Sequence, residues 1–205
     1  MPRLVDHEER RAEIFEAARR VISRDGLEAA TVRAISKEAG YSTGVLTRYF
    51  ASKDDVIEGA LRVATDRFHS TIEKFEDLRG LQAIRALLRA EHEQVDDGRA
   101  DTKVWIVFWS QAVVSAKLRS INGTLYRRWR SVVERHLVEA MTDGELGPWV
   151  RPALAAGTLI AFSDGLAVQS ATDDQDWNEQ QLGEAIDHVI EMLVASSYSA
   201  RVAQE

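Results

Sequence analysis

Two groups of residues have types and spacings suited to molecular recognition. The first lies in "AGYSTGVLTRYF", residues 39–50. Ser42, Thr43 and Thr47 carry hydroxyls, Gly44 has no side chain, and Arg48 carries a guanidinium. On the outer face of a helix this set suits a major groove. Gly44 permits close approach, threonine hydroxyls and methyls meet base edges, and arginine bridges guanine O6 and N7. Thr31, Tyr49 and Lys53 lie where a hydroxyl, a phenol and an ammonium would hold phosphates. The same pattern also fits a helical hairpin that touches no DNA. Lys53 would then be an ordinary first-turn residue, Tyr49 a core residue, and Arg48 the partner of a nearby acid.

The second group is aromatic. Trp105, Phe108 and Trp109 recur at i, i+3 and i+4, on one helical face, and Tyr126 and Trp129 stand three apart. If these faces meet, they wall a cavity that attracts ammonium groups through the ring faces, worth ~0.5–2 kcal/mol per ring. Asp164, inside the apolar "LIAFSDGLAV", would supply a counter-charge, and Gln111 and Asn122 are further polar candidates. The alternative is a plain aromatic core with Asp164 paired to Arg127 or Arg130.

Nothing comparable supports catalysis. The five histidines are His7, His69, His92, His136 and His188. Asp66 and His69 stand at i, i+3, and Glu184 and His188 at i, i+4, but no Glu-x-x-His pair occurs, as a di-iron bundle requires. HExxH, P-loop, GxGxxG and GxSxG motifs are absent. The histidines therefore read as surface residues. We expect no enzyme, no metal and no cofactor.

The elements that would position these residues are helical. Only Pro2, Pro148 and Pro152 interrupt 205 residues, and no β-alternation is visible. A first helix is predicted from about His7 to Arg24, capped by Asp6 with Glu9 three residues on, and closed by Gly26. Thr31 caps a second, with Val32, Ile35 and Ala39 on one face, and Gly40 stops it. Ser42 or Thr43 opens a third of about two turns. "SKDD", Ser52–Asp55, is a capping box opening a fourth helix that runs to near Gly80. Five more follow at roughly 81–95, 102–115, 118–141, 151–171 and 178–197, broken by "DDGRAD", "SAKL", "TDGELGP" and "TDDQDW". Val32, Ile35, Val45, Leu46 and Phe50 should form a small core against Ile14, Val21 and Leu27. A steep crossing of two short helices at a glycine-containing turn is the helix-turn-helix layout.

Composition is compatible with this. Hydrophobic residues make up 45% and charged residues 29%, as in a soluble globular chain. The net charge is −7, yet residues 1–60 carry 10 Lys+Arg against 11 Asp+Glu, so the head is nearly neutral and the body acidic. There is no cysteine, which excludes disulfides and suits a reducing cytoplasm. No secretory signal is visible, and no uninterrupted apolar run approaches the ~18 residues of a membrane span, so no membrane partner is expected.

The N-terminal segment "AATVRAISKEAGYSTGVLTRYFASKDDVIEGAL" resembles the DNA-binding domain of the TetR family of transcriptional regulators. The similarity covers residues 8–62. It includes T-V-R-x-I-S-K-E-A-G in the second helix, S-x-G-x-L-x-x-Y-F in the third and S-K-D-D-V in the fourth. Two residues depart from the family pattern. Thr47 replaces a common aromatic, and Tyr41 is bulkier than the usual small aliphatic; both bear on operator sequence. The stretches "VWIVFWSQAVVSAKLRSINGTLYRRWRSVVERHL" and "ALAAGTLIAFSDGLAVQSA" resemble the BetI-type subgroup, which includes choline-responsive repressors.

These resemblances imply an all-α TetR-like fold of about nine helices. Residues 1–52 would be the DNA-binding domain and 53–205 a larger bundle for ligand sensing and dimerisation. They imply a cytoplasmic homodimer that binds a double-stranded palindromic operator and releases it when a small molecule, such as the quaternary ammonium choline, enters the body. The last two helices would form the dimer interface, and the fourth would link body to DNA. The alternative is a helical ligand-binding or protein-interaction module without specific DNA recognition.

Overall fold

A computed structural model of the chain describes residues 7–75, 77–92, 98–173 and 177–202. Among them lie nine helices and no strand: α1 (His7–Asp25), α2 (Val32–Ala39), α3 (Thr43–Leu46), α4 (Lys53–Glu73), α5 (Gly80–His92), α6 (Gly98–Ala112), α7 (Ala116–Thr142), α8 (Pro152–Thr172) and α9 (Glu179–Val202). The chain divides into two compact units, Met1–His69 with Asp97–Asn122, and Ser70–Asp96 with Gly123–Glu205.

In the first unit, α1 buries Ile14, Ala17, Ala18, Val21 and Ile22 at helical spacing against Ile35, Leu46 and Phe50, with Leu27, Val32 and Val45 packed at the margin. Phe15 and Phe50 stack obliquely at 5.7 Å. Burying this apolar surface stabilises the head by roughly 1.5–3 kcal/mol per large side chain. The same core takes in Val104 of α6. There Arg19, 0% exposed, is held by Glu16 at 2.7 Å and by Asp101 of α6 at 2.9 Å. A buried guanidinium needs such partners, because an unpaired one would lose its hydration with no return.

Local signals set the boundaries. Thr31 Oγ1 accepts from the Ala34 amide at 3.2 Å, and Gly40 ends α2 at φ +72°, a conformation that glycine adopts without a Cβ clash. At the start of α4, Ser52 Oγ accepts from the Asp55 amide while Asp55 Oδ2 accepts from the Ser52 amide, the reciprocal capping box expected from "SKDD".

Three boundaries differ from expectation. The third element has only one turn of α-helix, Thr43–Leu46. Residues 47–49 continue as tighter turns, with Arg48 and Tyr49 amides bonding three residues back. Ser42 stands at its start but makes no side-chain cap bond. Gly80 does not end α4; it opens α5 at φ +55°, where a Cβ would sit 2.1 Å from Glu145. The expected cap Asp6, and parts of the breaks "DDGRAD" and "TDDQDW", lie outside the described residues.

The second unit packs α5, most of α7, α8 and α9 around Ile84, Leu88, Leu137, Leu159, Ile160, Leu182, Ile186 and Ile190. Arg85 and Arg89 of α5 reach Asp187 of α9 at 2.8 and 2.7 Å. By length and composition alone, α8 could cross a membrane. Counting uninterrupted apolar residues missed this, because Ser163 and Asp164 split the run.

Candidate nucleic-acid interface and effector site

The exposure pattern around α3 is periodic. Ser42, Thr43, Gly44, Thr47 and Arg48 are exposed, while Leu46 is fully buried and Val45 partly so. One apolar anchor thus fixes the segment while its polar residues point to solvent. Thr47 Oγ1 donates to the Gly44 carbonyl at 3.2 Å. Arg48 has no ion-pair partner among the described residues, so the acidic-neighbour alternative does not hold. Tyr49 is half-buried and packs at the edge of the head core.

Thr31 is exposed at the N-cap of α2. Lys53 is exposed but engaged, its Nζ 2.7 Å from Glu28. Sequence reasoning passed over two more exposed cations, Arg33 and Lys37 of α2, which are also without ion-pair partners among the described residues. The signal was available: both follow Thr31 on a short helix. By contrast Arg20 and Arg24 are tied to Glu38 at 2.8 and 3.0 Å. The head's cations are therefore sorted into neutralised and available sets, which the near-zero sum of charges concealed.

Tyr41 braces the turn. Its hydroxyl donates to Glu13 of α1, and the Arg10 guanidinium lies 5.4 Å from its ring centre. The hydrogen bond to Glu13 raises the phenol's pKa. A small aliphatic residue could make neither contact, which gives this departure from the family pattern a structural reason.

In the first unit Trp105 sits 6.0 Å from Phe108, edge on, and 6.1 Å from Trp109. Phe108 is fully buried. The Trp109 indole N–H is buried without a partner among the described residues, and so is the Asn122 carbonyl. Tyr126, Trp129 and Asp164 belong to the second unit. Tyr126 and Trp129 are half-buried against its core.

Asp164 Oδ2 accepts from the Tyr126 hydroxyl at 2.5 Å, while Arg127 donates to Thr124. Tyrosine, not arginine, is thus its partner, and its carboxyl has no cation partner among the described residues. Burial raises its pKa, and burial with this hydrogen bond raises that of Tyr126. Beside it lies a group that includes His92, which the sequence reading placed on the surface. Ser163, 2% exposed, donates to Glu91 Oε2 at 2.5 Å, and His92, 8% exposed, has Nε2 2.9 Å from Ser163 Oγ. His136 is also buried, bonded to Glu139 at 2.8 Å. Both histidines correct the surface reading; acidic neighbours in sequence do not reveal which helix face is covered.

Comparison with known proteins matches this geometry to a family. Residues 14–60 match the pattern of bacterial regulatory proteins of the tetR family, and residues 80–195 that of the BetI-type transcriptional repressor C-terminal domain. The chain is 27% identical over 199 residues to the HTH-type transcriptional regulator BetI of Paraburkholderia phytofirmans, covering 96% of this chain and 99% of that one. It is 29% identical over 174 residues to its Burkholderia ambifaria counterpart, covering 83% and 87%. Among solved structures, a Rhodococcus sp. transcriptional regulator superposes with TM-score 0.79 at 25% identity, covering 91% and 97%. A Saccharomonospora viridis regulator in complex with choline superposes with TM-score 0.81 at 22% identity, covering 90% and 97%. These relatives are DNA-binding regulators rather than enzymes. With its exposed helix-turn-helix and matching body, the chain belongs to the TetR family of transcriptional regulators, in the group with a BetI-type C-terminal domain.

Proposed function

We propose that the protein is a dimeric repressor whose two α3 segments enter the major groove of a palindromic operator. The half-sites would lie one helical turn, or a multiple, apart. The observation that carries this is the exposure of Ser42, Thr43, Gly44, Thr47 and Arg48 around the buried Leu46. Thr31, Tyr49 and Lys53 contact phosphates, and Arg33 and Lys37 add to them. In function, residues 1–52 read DNA and 53–205 sense the effector and dimerise. The exposed Leu154 and Val168 of α8 and Met192 and Val194 of α9 support an apolar dimer face. The protein acts in the cytoplasm, where its operator lies.

The effector is a small cation of the quaternary ammonium class, such as choline. Support comes from the relatives named BetI, the choline complex of the S. viridis regulator, and the Tyr126–Asp164 pair, an aromatic ring joined to a carboxylate. Tyr126, Trp129 and Asp164 are assigned to the effector, and Trp105, Phe108 and Trp109 of α6 respond to it. The link to DNA is α4, which begins with Lys53 and whose last residues belong to the second unit. Effector and operator then weaken each other's binding by one common factor.

The test is a genomic pull-down with purified protein, sequenced and followed by salt titration. Enriched palindromic fragments whose affinity falls steeply with salt are expected. No enrichment over random DNA refutes the reading. Adding choline to the bound fragments then tests release.

A further inference from the structure

We propose that Glu91 and Asp164 together seat the positive end of the effector, and that a monocation entering this seat drives one proton off the pair. The inference rests on the cationic-effector reading above and adds a second carboxylate and a proton to it.

Three helices of the second unit build the seat. Glu91 lies in the last turn of α5, Tyr126 comes from α7, and Ser163 and Asp164 are neighbours on α8. Among the described residues each carboxylate receives a neutral donor alone: Ser163 on Glu91 and Tyr126 on Asp164, both at 2.5 Å. The Ser163 hydrogen goes to Glu91, so His92 must donate its Nε2 hydrogen to Ser163 Oγ. When Glu91 is protonated the chain can run in reverse, from Glu91 through Ser163 to His92. A proton therefore has a defined home in either direction.

The surrounding charges do not relieve the pair. On α5, Arg85 and Arg89 are committed to Asp187 of α9. On α7, Arg127 donates to Thr124, and Arg130 lies toward Gly157, about two turns before Asp164 on α8. No ion pair joins a cation to Glu91 or Asp164 among the described residues. Burial drives His92 down to about 4, so it is neutral near pH 7. Two half-buried carboxyls with neutral donors cannot both ionise at low cost. Burial first, and the Asp164 charge after it, push Glu91 up to about 7. A monocation reverses that balance by rewarding the second negative charge, so the proton leaves.

The sign and size follow. Glu91 ionises from about a tenth at pH 6 to about nine-tenths at pH 8, so affinity for a monocation rises roughly tenfold across that interval. The test is calorimetric titration of the full-length protein with choline chloride at pH 6 and 8, in two buffers of different ionisation heat. We expect about tenfold tighter binding at pH 8, with nearly one proton released at pH 6 and little at pH 8, and loss of both slope and release in Glu91→Gln. Infrared difference spectra of the unsubstituted protein supply a second readout: choline should remove a protonated-carboxyl band. Choline binding that is independent of pH and releases no proton overturns this inference and leaves the cationic effector standing. Retention of the slope in Glu91→Gln does the same. No choline binding at either pH overturns both.

Discussion

Replacing Arg48 by alanine isolates base recognition. The side chain is exposed and has no ion-pair partner among the described residues, so its removal should leave the fold within about 0.5 kcal/mol. What is lost is a groove contact worth ~1–3 kcal/mol. A symmetric dimer loses it twice, so operator affinity should fall by about 2–6 kcal/mol, from about 30-fold to more than 10⁴-fold. Lys53→Ala is the control of a different kind. Lys53 must leave Glu28, an exposed partner worth ~0–1 kcal/mol, before it can hold a phosphate. Its removal should weaken all sequences alike and lower the salt slope by about one per subunit. Fluorescence-anisotropy titrations against the operator and each single-base variant, at several salt concentrations, separate the two. Arg48→Ala binding the operator within threefold of the parent, with unchanged base preference, refutes the major-groove assignment of α3.

Three further outcomes follow from other parts of the structure. Asp55 is held down to about 2, chiefly by its hydrogen bond from Lys117, against an ordinary 3.8, so its stabilising effect is complete above about pH 4 and fades as pH falls toward 2; Asp55→Asn should flatten that part of a urea-midpoint profile. Gly59→Ala would set a Cβ 2.6 Å from the Phe15 ring, so a destabilisation of ~1–3 kcal/mol should appear as a lower thermal midpoint, and an unchanged midpoint would refute the close packing of α4 on α1. Trp109→Ala should blunt release of operator by choline in a dose–response titration, since it deletes an indole whose N–H is buried without a partner among the described residues; an unaltered curve counts against its effector role.

What the linear chain determined is what depends on neighbours a few residues apart. Helix spacing, the Thr31 cap, the Gly40 stop and the Ser52–Asp55 capping box are local interactions, so their residues announce them. The polar face of residues 42–48 was legible for the same reason, since Leu46 had to turn inward. Tertiary structure decided what depends on partners far along the chain. It shortened α3 to one turn, because anchoring Leu46 and Phe50 in a core shared with α1 sets the backbone path more strongly than helix propensity over so short a segment. It paired Asp164 with Tyr126 rather than an arginine, and brought Glu91 and His92 to Ser163 across some seventy residues. It sorted the head's cations into those neutralised by Glu38 or Glu28 and those, Arg33, Lys37 and Arg48, without an ion-pair partner among the described residues. Charge and burial act through space, and residue order records that distance only where the chain is locally regular.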